Sequence, residues 1–286
     1  MKFFNTKDRI DNLKIFDYLK IQDVYLRQQY TPFHVVARSP WPFFCSISIL
    51  IFLLGMVLYF HYFLLGLPLF FFGLFSLLGF LTIWFLDIII ESIKGHHTSY
   101  VANGLRLGFI LMIVSEIMFF FSFFWSYFHL TFSLSIHTGA IWPYVKGPYP
   151  WALPFYNTMV LMLSSIVLTE AHLCFLKKKK IHVIFFLLMT ISLGITFTYV
   201  QGLEYIDSPL TFNNGFCGSI FYMLTGFHGI HVFIGSIFLI VTLIRVLKDN
   251  FLLERHILLE TSSLYWHFVD IVWLFLFFFV YVWGGF

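Results

Sequence analysis

Residues 115–129 read SEIMFFFSFFWSYFH: one glutamate, Glu116, then eight aromatic residues with no lysine or arginine among them. The run continues an apolar stretch that starts near residue 104 and ends near 130. That is longer than the ~20 residues a helix needs to cross the roughly 30 Å of hydrocarbon in a bilayer. Glu116 lies ten residues past Arg106, so about 15 Å deeper along a helix at 1.5 Å per residue. That places a carboxyl group near the bilayer midplane.

The rest of the chain has the same character. Of 286 residues, 60% are hydrophobic and only 11% are charged, with 41 phenylalanines. A water-soluble domain of this size could not hide so much apolar surface, so the composition implies an all-α polytopic membrane protein. Seven stretches are long enough to span: about 43–65, 68–92, 104–130, 153–176, 181–205, 216–245 and 259–284. The first two are divided by a turn expected around Gly66-Leu67-Pro68. The long connection 130–152, rich in Trp, Pro, Gly and Tyr, suits an interfacial segment. We assign residues 1–40 to an N-terminal extension and 41–286 to one seven-helix transmembrane domain.

The basic residues give the sidedness. Seven lie in the N-terminal tail from Lys2 to Arg38, Lys94 and Arg106 flank the second connection, Lys177 to Lys180 form the fourth, and Arg245, Lys248 and Arg255 the sixth. Of the 17 Lys and Arg, Lys146 alone falls on the opposite side. Under the positive-inside rule both Met1 and the lysine run face the compartment of synthesis, and Phe286 faces away. The mixed-charge N-terminus has neither the apolar core of a secretory signal nor the Arg/Ser-rich, acid-poor composition of a transit peptide.

Several classes of chemistry find no footing here. Cys45, Cys174 and Cys217 share no motif spacing and read as small buried hydrophobes. His96-His97 are adjacent and His228-x-x-His231 share a helix face, yet the several clustered histidine boxes of a membrane di-iron enzyme are missing. No nucleophile elbow or phosphate loop is present, no basic aromatic-laced patch suggests nucleic acid, and no internal repeat suggests a transporter. What stands out is charge in the wrong solvent, a functional suspect by default. Asp87 and Glu91 share one helix face with Trp84. Glu204 ends the fifth span and Asp270 lies in the seventh beside His267. An unpaired carboxylate at the depth of Glu116 is costly, which favours a neutral carboxyl that donates a hydrogen bond, with Ser115 and Ser122 close in sequence.

Motifs along most of the chain resemble one family. They are SPWP at 39–42, the run from Gly95 to Trp125 containing GHHT and GLRLGFILMIVSEIMFFFSFFW, and Asn157-Thr158 with Ala171-His172. Gln201-x-x-Glu204-Tyr205, GSIFYMLTGFHGIHVFIGSIFL at 218–239, WHFVDIVWLFLF at 266–277 and the terminal Tyr281-x-Trp-Gly complete the series. In this order and combination they resemble cytochrome c oxidase subunit III. The resemblance implies seven transmembrane helices in two groups, spans one and two against spans three to seven, with a V-shaped cleft that holds phospholipids. It implies a subunit without haem, copper or catalytic residues; haem a, haem a3 and copper belong to partner subunits I and II. Its role would be to support proton uptake and turnover stability in a proton-translocating oxidase of the mitochondrial inner membrane, which passes electrons from cytochrome c to O2. Accessory subunits and a respiratory supercomplex are further expected partners, with Met1 in the matrix and Phe286 in the intermembrane space. The sequence has Leu86 and Ile90 where many members carry arginines, and Thr31 where a histidine usually precedes the retained His34.

Two site expectations follow. Trp84, Asp87, Glu91, His96, His97, Arg106 and Arg245 fall near one membrane face and are expected to anchor phospholipid head groups. Arg106 leads them because a guanidinium matches phosphate oxygens in a bidentate fashion. Glu116 is expected to act as a buried carboxyl that tunes proton delivery without carrying protons itself.

Overall fold

The computed structural model describes residues 33–36, 38–94, 96–133, 147–248 and 256–284. Lys146, Arg255, most of the N-terminal extension and residues 134–146 of connection 130–152 lie outside these residues. The described chain contains seven helices: α1 (Trp41–Phe60), α2 (Gly66–Lys94), α3 (Ser99–Phe132), α4 (Leu153–Leu176), α5 (Lys180–Asp207), α6 (Gly215–Leu247) and α7 (Ile257–Phe275). Helix α7 runs on as a π-helix over Leu276–Trp283. All seven are long and apolar enough to cross a membrane. Hydrocarbon supplies no partners for backbone N–H and C=O groups, so a spanning segment must satisfy them within itself, and a helix does so.

Local chemistry agrees with these boundaries. Pro42 and Pro154 sit in the first turns of α1 and α4, where proline's missing N–H costs nothing. Gly66-Leu67-Pro68, expected in the turn between the first two spans, instead occupies the first turn of α2. The connection is His61–Leu65, where Tyr62 takes a left-handed conformation with φ 62°. Proline reads as a breaker in sequence, yet at the start of a helix its ring is compatible with the helical backbone. At the end of α4, Lys178 likewise turns left-handed (φ 57°), and the N–H of Lys179 donates to the Cys174 carbonyl at 3.0 Å.

The described residues divide into two compact units within α3, between Leu105 and Arg106. In the N-terminal unit, α1 and α2 form a tight antiparallel hairpin. Its backbones approach so closely that a Cβ on Gly55 would strike the Phe70 backbone, and one on Gly73 the Phe52 backbone. Small residues permit such approach where burial of apolar surface supplies no drive, since lipid is as apolar as the helices. Ser76 Oγ donates to Ser48 Oγ across the pair at 3.1 Å, and Phe52 and Phe70 pack with ring centroids 4.8 Å apart.

The C-terminal unit holds the rest of α3 and helices α4–α7. Its core is built on α7, where Trp266 and Trp273 are fully buried. A buried indole N–H needs an acceptor, and α4 supplies both. Trp266 Nε1 donates to Ser164 Oγ at 2.8 Å and Trp273 Nε1 to Thr158 Oγ1 at 3.0 Å. Gly194 of α5 makes room for the Trp266 ring. Cys45, Cys174 and Cys217 are all buried, as the sequence indicates.

Candidate functional site

Glu116 occupies the middle of the 34-residue helix α3. Its partner is neither of the neighbouring serines. Ser115 Oγ donates to the Met112 carbonyl and Ser122 Oγ to the Phe119 carbonyl, the local back-bonding that spares a hydroxyl in a helix. The Glu116 carboxyl instead meets His231 of α6, with Oε2 3.0 Å from Nε2. The other ring nitrogen, Nδ1, lies 2.6 Å from the Phe227 carbonyl oxygen one turn back on α6.

That second contact settles the proton count. A carbonyl oxygen only accepts, so Nδ1 carries a hydrogen. Nε2 then either accepts from a protonated carboxyl or, in an imidazolium, donates to a carboxylate. In both cases one proton lies between Glu116 and His231, and the pair is neutral as a whole. Neutrality suits the surroundings. The His231 ring lies edge-on to Phe120 at 5.0 Å and stacks with Tyr265 at 6.4 Å. The His231 side chain is 11% exposed and that of Glu116 33%. The pair therefore opens on one side, at mid-span, to the surface of its unit.

The residues expected to anchor lipid behave differently from one another. Within the N-terminal unit, Trp41 Nε1 donates to Asp87 Oδ2 at 2.6 Å, tying the start of α1 to α2. Glu91 Oε2 lies 3.2 Å from His34 Nε2. The His34 ring stacks on His96 at 5.5 Å and tilts against His97 at 6.2 Å. Trp84 is half-buried on the same helix. Glu91, His96 and His97 are thus gathered around His34, which carries the cluster although sequence reading singled it out only as a motif remnant.

In the C-terminal unit, Arg106 turns its guanidinium edge to a carboxylate. Nε lies 2.8 Å from Glu260 Oε2 and an Nη 3.1 Å from Oε1. The fork expected to grip a phosphate is therefore engaged by Glu260. His256 Nε2 sits 3.0 Å from the same carboxylate, one turn before it. Arg245 is buried near the end of α6 rather than displayed on the surface. Sequence reasoning passed over Glu260 and left His231 only as half of a histidine pair. The available signal was matched depth: Glu260 begins α7 at the end of the membrane where Arg106 begins its run. His228 and His231, adjacent on one helix face, go to different partners, since His228 Nε2 lies 3.2 Å from the Val269 carbonyl.

Comparison with known proteins agrees with this architecture. The family model described as cytochrome c oxidase subunit III matches residues 31–285. Cytochrome c oxidase subunit 3 of Marchantia polymorpha is 46% identical over 258 residues, covering 89% of this chain and 97% of the relative. The subunit 3 of Arabidopsis thaliana is 43% identical over 264 residues, covering 91% and 99%. That of Rhizopus stolonifer is 46% identical over 257 residues, covering 89% and 91%. With seven apolar spans in the expected order and a family match over nearly the whole chain, this protein belongs to the cytochrome c oxidase subunit III family.

Proposed function

We propose that this chain is a non-redox core subunit of the mitochondrial oxidase, supporting proton uptake and durability during turnover while haem and copper reside on subunits I and II. The observation that carries this reading is the Glu116–His231 pair, a carboxyl and an imidazole in contact and partly open at mid-membrane depth. A couple that holds one proton at fixed geometry adds a polar, polarisable point to an otherwise apolar surface. It can bias the protonation of a neighbouring uptake path without itself passing protons across the membrane.

In this reading the basic ends of the spans face the matrix of the inner membrane, where Asp87, Glu91, His96, His97 and Trp84 meet phospholipid head groups around His34. The distribution of Lys and Arg supports that orientation. Purification in mild detergent through a tag on this chain tests the assignment. Haem-containing subunits I and II should co-purify in equal amounts, with phospholipid retained after delipidating washes. Recovery of the chain alone from intact membranes would refute it.

A further inference from the structure

The Gln201-x-x-Glu204-Tyr205 motif finds no use in the Glu116–His231 pair. Gln201 and Glu204 lie three residues apart near the end of α5 remote from the lysine run, and so on one helix face. Tyr281, carried by the π-helical end of α7, completes the group. π-Helical turns are rare and often found at functional sites. All three side chains are buried, Glu204 to 2% exposure.

The hydrogen bonding of this group is incomplete. Gln201 and Tyr281 flank the Glu204 carboxyl, yet both carboxyl oxygens and Gln201 Oε1 lack a hydrogen-bonding partner of adequate geometry. The Gln201 amide reaches Tyr281 Oη only at 3.5 Å, the outer limit of such a bond. Two further hydroxyls close by are committed elsewhere. Tyr205 donates to Thr225 Oγ1 at 2.7 Å and Tyr222 to the Leu210 carbonyl at 2.6 Å. An ionised Glu204 would be a buried charge with only the neutral Gln201 and Tyr281 side chains flanking it, a state buried groups avoid by neutralising. Protonated, it has one O–H to give, and Gln201 Oε1 is an acceptor without a partner. Buried water typically makes about three hydrogen bonds to otherwise unsatisfied polar groups.

We propose that Glu204, Gln201 and Tyr281 form a buried hydration site in which a water molecule bridges a protonated Glu204 carboxyl to Gln201. The water accepts the Glu204 O–H and donates to Gln201 Oε1, and the Tyr281 hydroxyl closes the site from α7. This is a fixed proton, separate from the one shared by Glu116 and His231.

Two measurements on the purified oxidase complex test it. The first is the infrared difference spectrum between the unaltered complex and Glu204→Gln, recorded in H2O and in D2O. A carboxylic-acid C=O band should be lost in the variant and should shift down in D2O in the unaltered complex. Loss of a carboxylate band instead would overturn the proposal. The second is a density map of the unaltered complex at a resolution that shows ordered solvent, which decides the question even where the variant does not assemble. A solvent peak within hydrogen-bonding distance of Glu204 and Gln201 is expected. Direct pairing of the carboxyl with Gln201 or Tyr281, with no solvent between, would refute the bridge.

Discussion

Glu116 of α3 and His231 of α6 meet at 3.0 Å with a single proton between them, because Nδ1 of the same imidazole already donates to the Phe227 carbonyl. The two residues are 115 apart in sequence, and their contact ties the centre of α3 to α6. Glu116→Gln keeps a donor for Nε2, through its amide N–H, while removing the acidic proton. Assembly and initial turnover should therefore be retained, whereas the number of turnovers before inactivation should fall. Glu116→Leu also strands the imidazole, at a cost of about 1–3 kcal/mol, and should reduce assembled complex as well. Equal lifetimes for the unaltered complex and Glu116→Gln would make Glu116 a packing residue only.

The bidentate contact of Arg106 with Glu260 joins the start of the α3 segment in its unit to α7. Both side chains are partly exposed, so solvent and head groups weaken the attraction. A coupling of about 0.5–1 kcal/mol is expected, in the range of exposed ion pairs. A double-mutant cycle of Arg106→Gln and Glu260→Gln, read by thermal inactivation of the complex, measures it. Arg106→Lys should behave more like the glutamine variant than like the parent, because an ammonium cannot reproduce the fork. Full retention of stability by Arg106→Lys would show that the fork geometry is unimportant.

The seven spans were legible because a bilayer imposes a length and a composition that composition-scale reading detects directly. The boundary at Pro68 was not, since the same residue ends one helix and begins another with equal ease. The depth of Glu116 was legible by counting from Arg106, but its partner was not. His231 comes from α6, and which helix face meets which depends on packing that periodicity cannot resolve in helices apolar all round. For the same reason Arg106 suggested a phosphate, while the carboxylate at matching depth on α7 that it meets was not legible. The polar residues of α4, Ser164 and Thr158, gave no sign of their role until the two indoles of α7 were seen to need acceptors.

The skew of basic residues makes the orientation testable. The lysine run at Lys177–Lys180, which joins α4 to the first residue of α5, should be labelled by an amine reagent only from the matrix side of the inner membrane. Mitoplasts treated with an impermeant reagent should leave these lysines unmodified, and permeabilised mitoplasts should show them modified. Labelling in intact mitoplasts would reverse the assigned topology.

The α1–α2 hairpin depends on glycine where backbone meets backbone. Gly73→Ala places a methyl group against the Phe52 backbone, which has no side-chain freedom with which to yield, whereas Gly79 on the same helix has nothing within 4 Å. Gly73→Ala should lower the yield of assembled complex and Gly79→Ala should not. Comparable yields from both would mean that the two helices separate without penalty.

Gly194 and Gly202 of α5 provide a sharper comparison, because they share a helix and differ only in what faces them. A Cβ on Gly194 would come within 2.6 Å of Cη2 of Trp266. That ring cannot retreat freely: it is fully buried, and its N–H is fixed to Ser164 of α4. Overpacking of this kind costs about 1–3 kcal/mol, and here it would also pull on the hydrogen bond joining α4 to α7. Gly202 has nothing within 4 Å, and alanine there gains up to about 1 kcal/mol of helix propensity. Gly194→Ala should accordingly lower the thermal inactivation temperature of the complex, and Gly202→Ala should hold or raise it. Combining Gly194→Ala with Trp266→Phe removes both the crowding ring edge and the anchored N–H, so the double variant should recover part of the loss relative to the sum of the two single changes. Strict additivity would show that Gly194 does not act through Trp266.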